Sequence, residues 1–561
     1  MYLPLLLIVN CFSIYLFRNK IGSLGIFISS VSTLLYSLST IVFNLHPLSA
    51  SPFYTFVDYG RWFFVYDVLD SNLVFIVDNL STTLTTLVLL LTLFAQVFGI
   101  EYMYREAYAS RLIYLLNMFA TSVVFLFFVY DFFLILVVWE LIGLFSLLLV
   151  NFYSQRVYTI KAALKTFFFS RISDFFISMS FFIVILLFNS SDLGVVFLQT
   201  PYFIFYNTYL FNTGFNTLNL LSLFILFSGA VKAAQFFFHV WLPDAMEAPT
   251  PASALIHSST LVIMGIYFIV RCSSLFELSV LPNLVMVLLG SVTVAIGAIA
   301  ASCQNDIKKL VAYSTISQMG YLFCGCGFLC YTEVIFYLIV HALNKAFLFI
   351  LVGYIVHFFY GNTDMRFMGS AYSSVLDFTF LLFFISLNLS GLPFTAGFLA
   401  KELLVFQTMR DYTLILLVRS LWFFSFCLTP YYMFFLNWNV IFRNRQGFEV
   451  TFSNKPQSFF KKKSLFMLQG SLFNSKLSSL LYLLLFASIT LFGESLVTTL
   501  YNYSNCSYVT YQLNWVLLNY QIGNSQTLLT FTVNYLFTFI IYTSLLVSTK
   551  LFFYKIRTYI V

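Results

Sequence analysis

Ionisable side chains inside apolar runs are the feature of this sequence best suited to chemistry. Glu140 lies in FFLILVVWELIGLFSLLLV, Lys232 in LFILFSGAVKAAQFFF and Lys345 in FYLIVHALNKAFLFI. A charged side chain at the centre of a bilayer costs about 2.5–3.5 kcal/mol on insertion scales, so such residues are usually paired, face other helices and are functional. Glu and Lys can both release and accept a proton, whereas Arg cannot. This set of residue types predicts proton transfer through the membrane.

Further titratable residues extend the pattern along the chain. His341 lies four residues before Lys345 and therefore on the same helical face. His257 lies near the start of an apolar run, and Lys401 closes the run SLNLSGLPFTAGFLAKE. Histidine and water can bridge gaps between such groups. The predicted relay consists of Glu140, Lys232, His257, His341, Lys345 and Lys401, with Arg171, Asp174, His239, Asp244, Glu247 and Glu402 as supporting residues. Arg171 and Asp174, three residues apart, fit a structural ion pair equally well.

These residues must be held by membrane-spanning helices. Of the 561 residues, 61% are hydrophobic and 9% are charged, whereas about 25% are charged in a soluble domain. A spanning helix needs about 20 mostly apolar residues. Candidate spans lie at 2–16, 21–43, 78–100, 112–130, 132–152, 167–188, 218–241, 254–269, 281–301, 313–330, 334–354, 376–400, 413–442, 480–500 and 529–553. We therefore predict an all-α polytopic membrane protein with roughly 15 transmembrane helices rather than a β-barrel, whose strands would alternate polar with apolar residues.

Helix breakers lie close to two of the lysines. Gly391, Pro393 and Gly397 come in the turns before Lys401, and a proline-rich segment, WLPDAMEAPTPASALIH, follows the Lys232 run. Interrupted spans beside ions are typical of transporters, because freed backbone groups are tolerated where they line a wet cavity. The recurrence of a lysine-bearing, interrupted span about five spans later suggests an internal repeat.

Several other functions are disfavoured. The run FCGCGFLC holds Cys324, Cys326 and Cys330, but buried cysteine is more often a small hydrophobe than a metal ligand. The +7 net charge is not presented by a folded basic domain, so nucleic-acid binding is not expected. The basic cluster at 461–463 is interpreted as a loop at an anionic membrane surface.

Several motifs resemble those of the NADH dehydrogenase subunit 5 family. They are VVWELIGLFSLLLVNFY (137–153), WLPDAMEAPTPASALIHSSTLVIMGIYFIVR (241–271), NDIKKLVAYSTISQMGY (305–321), HALNKAFLFILVGYIVH (341–357), DMRFMGS (364–370) and GLPFTAGFLAKELL (391–404). The resemblance extends over roughly residues 75 to 442. The resemblance implies the antiporter-like subunit at the far end of the membrane arm of respiratory complex I.

The resemblance also implies an architecture. It implies two inverted five-helix repeats with discontinuous helices at Lys232 and Lys401, and a hydrophilic axis through Glu140, Lys232, His257, Lys345 and Lys401. The expected divisions are N-terminal helices (1–110), a first repeat (111–270), a second repeat (271–442), a polar loop (443–475) and C-terminal helices with an anchor (476–561).

The implied activity is proton pumping coupled to electron transfer from NADH to ubiquinone. NADH, FMN, iron–sulfur clusters and ubiquinone are implied for the whole complex, and none is expected on this chain. The implied partners are other membrane-arm subunits, especially the neighbouring antiporter-like subunit 4, together with membrane lipids. The implied location is the mitochondrial inner membrane. A cation/proton antiporter subunit and a purely structural scaffold of the membrane arm remain alternatives.

Four departures from the family pattern affect these expectations. Phe237 stands where the family usually has proline, Asn344 replaces the Phe of HALFK, and Glu402 replaces an Asp. The segment 501–526 is shorter and more neutral than the family's lateral amphipathic helix. In the expected mechanism, Glu140 pairs with Lys232 at rest, and its withdrawal sends the proton through water and His257 to Lys345 and out through Lys401.

Overall fold

The computed structural model describes most of the chain between Thr55 and Arg443. It leaves out residues 66–68, 104–105, 107, 205, 211–212, 360, 370–375, 392–394 and 409–414 within that range, and describes residues 7, 9, 12, 15, 16, 30, 31, 34, 35 and 37 before it. The spans predicted at 2–16, 21–43, 480–500 and 529–553 lie outside the continuously described range. So do the C-terminal division and nearly all of the predicted polar loop.

Helices make up most of the described structure. They are α1 (Asn79–Tyr102), α2 (Ala109–Phe128), α3 (Phe132–Val150), α4 (Val157–Phe188), α5 (Leu193–Gln199), α6 (Thr217–Lys232), α7 (Trp241–Asp244), α8 (Thr250–Leu255), α9 (Leu261–Arg271), α10 (Ser273–Glu277), α11 (Val280–Ser302), α12 (Ile307–Gly327), α13 (Tyr331–Phe358), α14 (Leu376–Ser390), α15 (Ala396–Thr408) and α16 (Ile415–Asn437). A π-helical turn, Ile256–Thr260, joins α8 to α9.

Seven helical segments within the described residues are long and apolar enough to cross a membrane. They are Leu80–Ile100, Ala109–Phe128, Phe132–Val150, Val157–Phe188, Thr250–Arg271, Val280–Ser302 and Tyr331–Phe358. Each overlaps a span predicted from the sequence. The chain is therefore a helical polytopic membrane protein, while the total of roughly 15 spans and the five-part division remain predictions.

Two antiparallel hairpins interrupt the helical fold, and the all-α prediction missed them. Strand β1 (Thr55–Val65) pairs with β2 (Leu69–Val77), and β3 (Asn207–Leu210) pairs with β4 (Thr213–Asn216). The first hairpin is rich in aromatic and β-branched residues, which suit a pleated surface.

Asp78 joins this hairpin to the helices. Its Oδ1 accepts a hydrogen bond from the backbone N of Ser81 at 2.8 Å and so caps α1. Arg271, the last residue of α9, lies 2.5 Å from Asp78 Oδ2. This buried ion pair joins the start of α1 to the end of α9.

The predicted span 218–241 is not one continuous helix. Helix α6 ends at Lys232, and Ala234 and Phe237 have positive φ angles of 51° and 71°. Gln235, which is fully buried between them, accepts a hydrogen bond from Thr293 Oγ1 of α11 at 2.8 Å. The interruption expected at Lys232 therefore exists without the family's proline, and Gln235 ties it to a continuous helix.

A second interruption precedes Lys401, as expected. Helix α14 ends at Ser390, Gly391 has φ of 79°, and α15 begins at Ala396. A glycine in the left-handed conformation just after a helix is a common C-terminal stop. Gly397 is required for a different reason, because a Cβ there would lie 2.1 Å from the carbonyl oxygen of Asn388.

Glycines also let the helices of the bundle approach closely. A Cβ on Gly290 of α11 would lie 2.7 Å from the backbone N of Cys324 in α12. In the first half, a Cβ on Gly265 would lie 2.5 Å from the carbonyl oxygen of Gly229. Small residues drive helix association in membranes because they allow backbones to touch. The lysine of α6 is thereby held against a tightly packed neighbour.

The left-handed conformation of Phe237 generates a prediction. Its side chain is 68% exposed, so Phe237→Gly removes little packing and relieves about 1 kcal/mol of backbone strain. Phe237→Pro should be destabilising, because proline fixes φ near −65°. The measurement is the midpoint of thermal unfolding of the detergent-solubilised protein. Phe236→Gly, at a residue without positive φ, should lower the midpoint. A higher midpoint for the proline variant than for the glycine variant would contradict this account.

Candidate functional site

Lys232 is an almost fully buried ammonium group next to a buried carboxylate. Its side chain is 1% exposed, and its Nζ lies 4.0 Å from Asp174 Oδ1, on a side chain that is 8% exposed. Neither of these two atoms has a hydrogen-bond partner within the described structure. A buried charge is tolerated only when an opposite charge or polar atoms compensate it. Asp174, predicted only as a supporting residue, is therefore the carboxylate that faces Lys232.

Glu140 contacts this pair through an arginine. Arg171 Nη1 lies 3.5 Å from both Glu140 Oε2 and Asp174 Oδ2. The direct pairing of Glu140 with Lys232, expected from the sequence, is therefore corrected to a series in which Arg171 and Asp174 intervene. The physical reason is position: Glu140 and Arg171 lie on a half-exposed face of α3 and α4, whereas Lys232 is inside the bundle.

Aromatic and hydroxyl groups fix the surroundings of Lys232. The Trp139 ring centroid lies 5.6 Å from Lys232 Nζ, within the range of a cation–π interaction. Trp139 Nε1 donates to Ser173 Oγ at 2.9 Å, and Ser173 donates in turn to the carbonyl of Ser228 at 3.0 Å. These bonds join α3, α4 and α6 around the ammonium group.

A small cavity lies beside Lys232. It has room for about one water molecule, and Ser146, Thr166 and Ser170 contribute hydroxyls to a lining that is otherwise mainly apolar. All three hydroxyls donate to carbonyls of their own helices, which leaves their oxygen lone pairs as acceptors. Gly143 lies close to this group, since a Cβ there would be in ordinary van der Waals contact with Lys232 Nζ, at 3.6 Å. The arrangement suits an ammonium group that exchanges protons with water.

His257 lies between the two halves of the described chain. It is fully buried in the π-helical turn, and neither ring nitrogen has a hydrogen-bond partner within the described structure. Its ring centroid is 6.2 Å from that of Trp241 on α7 and 6.2 Å from that of Phe349 on α13. Single π-helical turns inside helices are frequent at functional sites. The position predicted to bridge Lys232 and Lys345 thus lies against the Lys345 helix and against Trp241, whose Nε1 donates to the backbone carbonyl preceding Lys232 at 3.1 Å.

Lys345 and His341 lie on one face of α13, as predicted. Lys345 is fully buried and its Nζ donates to Ser314 Oγ at 2.5 Å and to the carbonyl of Val311 at 3.5 Å. His341 is 1% exposed, and its ring nitrogens have no hydrogen-bond partner within the described structure. Lys345 therefore donates to a hydroxyl and a carbonyl, whereas Lys232 lies next to a carboxylate.

Lys401 lies against the end of the interrupted helix. Its side chain is buried, and its Nζ donates to the carbonyl of Leu389 at 2.6 Å. The C-terminal end of a helix carries partial negative charge, which stabilises a nearby cation. The side chain of Glu402 lies outside the described part of the chain.

The other supporting residues cluster near one end of the bundle. Lys165 Nζ donates to Asp244 Oδ2 at 2.5 Å, and Glu247 is exposed. His239 lies in the interrupted segment, where its Nδ1 is buried without a hydrogen-bond partner among the described residues. Lys308, in the first turn of α12, was not predicted. Burial lowers its pKa to about 8, and the nearby Glu247 carboxylate acts in the opposite direction.

Sequence reasoning missed the polar groups that accept hydrogen bonds from the buried lysines. Ser314 stands inside one of the family motifs and Leu389 carries no charge, so neither residue type indicates that it accepts a hydrogen bond from a lysine; that contact depends on which helices meet. Asn344 was noted only as a departure from the family pattern. The structure places it against Asn388, whose Nδ2 donates to Asn344 Oδ1 at 2.9 Å.

Comparison with known proteins identifies the family of the chain. Residues 129–429 match the family model described as NADH:quinone oxidoreductase/Mrp antiporter, TM. A Paramecium tetraurelia protein named NADH-ubiquinone oxidoreductase chain 5 is 38% identical over 394 residues, which cover 69% of this chain and 68% of that protein. A Nyctotherus ovalis protein of the same name is 37% identical over 548 residues, which cover 92% of this chain but only 29% of that protein.

Solved structures share the fold at lower sequence identity. The Mrp complex from Dietzia sp. DQ12-45-1b contains a chain with a TM-score of 0.71 and 23% identity, covering 90% of this chain and 52% of that one. A chain of the membrane-bound sulfane sulfur reductase, an archaeal respiratory membrane complex, has a TM-score of 0.73 and 16% identity, covering 90% of this chain and 96% of that one. The protein therefore belongs to the NADH-ubiquinone oxidoreductase chain 5 family, which confirms the resemblance found in its sequence motifs.

The hydroxyl beside Lys345 generates a prediction. Ser314→Ala should lower the free energy of unfolding by about 1–3 kcal/mol, because it leaves a buried ammonium with one long hydrogen bond to Val311. Thr315→Val is the matched control, since the neighbouring Thr315 hydroxyl donates only to its own helix, at Ala312. Thermal unfolding of the solubilised protein measures both variants. Equal midpoints for the two would contradict the assigned role of Ser314.

Proposed function

We propose that this member of the chain 5 family is a proton-translocating membrane-arm subunit of a respiratory NADH:ubiquinone reductase. The observation that carries the proposal is the series of buried titratable groups, Lys232, His257, Lys345 and Lys401, in a chain with two interrupted helices. Buried lysines are costly in a hydrocarbon environment, so a role that needs them is favoured over a purely structural one.

The proposed step begins at Arg171, which is shared between two carboxylates. When Arg171 moves toward Glu140, Asp174 is left to stabilise the ammonium of Lys232. When Arg171 moves toward Asp174, that stabilisation weakens and Lys232 releases its proton. The 3.5 Å distances from Arg171 to both carboxylates support this exchange. A charge change on the exposed side of Glu140 would bias it, since Coulombic interactions are strong where water is scarce.

The proposed path leads from Lys232 to the second half of the chain. Hydroxyls at the cavity beside Lys232 can order water, which carries protons between fixed groups. His257, in contact with both Trp241 and Phe349, transfers the proton toward Lys345. Lys401 releases it from the interrupted helix. The two interruptions also support the proposal of two inverted five-helix repeats within about fifteen spans.

The proposed partner lies against the face of α3 and α4 that carries Glu140 and Arg171. Their side chains are 43% and 42% exposed in mid-span, and Leu141, Leu144 and Leu148 on the same helix are exposed as well. Contact of a charged pair with lipid is costly. We infer that another membrane-arm subunit, the antiporter-like subunit 4, covers this face in the mitochondrial inner membrane. NADH, FMN, iron–sulfur clusters and ubiquinone would be bound by other subunits of the same assembly.

A cation/proton antiporter is the second candidate, because the fold resembles a chain of an Mrp complex. Purification of the native protein distinguishes the two. Association with an assembly that oxidises NADH supports the first candidate, and isolation without redox subunits supports the second.

The relay predicts the effect of removing its lysines. Lys232→Met and Lys401→Ala should each lower the proton-to-electron ratio of the assembled complex, because each removes an exchangeable proton from a buried position. Proton uptake and NADH oxidation are measured together in reconstituted vesicles. Lys309→Met is the control: Lys309 is 40% exposed and lies 3.6 Å from Asp306. The proton-to-electron ratio of the complex with Lys309→Met should equal that of the unmodified complex.

Two outcomes would count against the relay. Normal ratios in both lysine variants would refute it. A loss of assembly with normal ratios in the complexes that do assemble would indicate a scaffold.

The partner face generates a separate prediction. A photoreactive amino acid at Leu144, which is 41% exposed, should cross-link to another membrane subunit in the native complex. The same group at the fully buried Ile142 is the negative control. Cross-linking of position 144 to lipid alone would contradict the assigned face.

A further inference from the structure

We infer that Asn344 and Asn388 form an amide clamp that positions Lys401 relative to the Lys345 helix. Asn388 Nδ2 on α14 donates to Asn344 Oδ1 on α13 at 2.9 Å, and both side chains are buried, with exposures of 0% and 2%. Asn344 immediately precedes Lys345, whereas Asn388 immediately precedes Leu389. The clamp therefore joins the residue before Lys345 to the residue before Leu389, whose carbonyl accepts a hydrogen bond from Lys401 Nζ. The inference deepens the proposed function and rests on it.

The other end of the Asn388 side chain holds the start of the next helix. Asn388 Oδ1 accepts a hydrogen bond from the backbone N of Gly397 at 2.7 Å. Backbone N–H groups in the first turn of a helix lack partners within it, and side-chain oxygens commonly satisfy them. Gly397 comes one turn before Lys401 on α15. One amide thus bonds to the Lys345 helix through its nitrogen and to the Lys401 helix through its oxygen.

The clamp also determines what Lys401 contacts. The Nζ of Lys401 donates to the carbonyl of Leu389, one residue after Asn388. A shift of Asn388 relative to α15 would change this 2.6 Å hydrogen bond directly. A rotation or translation of α13 that moves Lys345 would move Asn344 and pull on Asn388. The clamp is therefore a mechanical link between two lysines that occupy different helices.

The link depends on the departure from the HALFK motif at Asn344. The family motif usually has Phe at the position of Asn344, and a phenyl ring cannot accept the hydrogen bond from Asn388 Nδ2. A buried amide must satisfy its polar atoms, so an isolated Asn344 or Asn388 would be costly. Their pairing explains how the departure at Asn344 is accommodated inside the bundle.

The test distinguishes a role of Asn344 in positioning Lys401 from an effect on the stability of the protein alone. Asn344→Leu removes the inter-helix hydrogen bond and leaves the Asn388–Gly397 bond intact. In the assembled complex it should lower the proton-to-electron ratio toward that of Lys401→Ala. If Asn344→Leu prevents assembly, Asn344→Ala replaces it, because the smaller side chain leaves room for water to satisfy Asn388. Asn344→Asp retains an acceptor oxygen and should keep a ratio above that of Asn344→Leu.

A matched control lies on α16, which is hydrogen-bonded to the helix that carries Asn388. Asn437 is 2% exposed and its Nδ2 donates to Ser386 Oγ on α14 at 2.6 Å, two residues from Asn388. Asn437→Leu should reduce thermal stability and leave the ratio unchanged. If Asn344→Leu and Asn437→Leu both leave the ratio normal while Lys401→Ala lowers it, the clamp is overturned and the relay stands. If Lys401→Ala also has a normal ratio, the relay and the clamp both fail.

Discussion

The structure depends on how an ammonium group is kept inside a bundle of apolar helices. Each buried lysine has an oxygen near its nitrogen, but the three oxygens differ in kind: a carboxylate for Lys232, a hydroxyl for Lys345 and a backbone carbonyl for Lys401. A full buried ion pair with good geometry would hold its charge strongly. The 4.0 Å separation at Lys232 and the neutral acceptors at the other two sites hold the charge less firmly. This graded stabilisation suits groups that must give up a proton.

The two helix interruptions place an oxygen near the adjacent buried lysine in different ways. Helix α6 stops at Lys232 itself, and residues with positive φ turn the chain away while Gln235 ties it to α11. In the second half, helix α14 stops before the lysine, and the carbonyl of its Leu389 accepts a hydrogen bond from Lys401 Nζ. An interrupted helix frees backbone groups that a continuous helix would satisfy internally. In the second interruption a freed carbonyl meets the lysine directly, whereas in the first a carboxylate from α4 replaces it.

Sequence reasoning located the charged residues but not the contacts between them. Glu140, Lys232 and Lys345 stand out because a charge inside an apolar run is rare, and the Arg171–Asp174 contact follows from a spacing of three. The intervention of Arg171 between Glu140 and the Asp174–Lys232 pair does not follow from spacing, because it depends on the packing of α3 against α4 and of α4 against α6. The hairpin at Thr55–Val77 was missed for a related reason. It lies between apolar runs, and the search for spans considered only length and hydropathy.

The half-exposed position of Glu140 and Arg171 makes the proposed relay dependent on what covers this face. A titratable series that ended inside the chain would respond only to protons arriving through its own cavities. Here the outermost pair is half exposed at mid-span, and Arg171 connects it to the carboxylate that faces Lys232. A charge brought to that face by a neighbouring subunit would change how Arg171 interacts with Asp174. It would thereby change the stabilisation of Lys232, the most deeply buried lysine of the first half. Coupling to a distant reaction then needs no large movement of this chain, only a change in which carboxylate Arg171 favours.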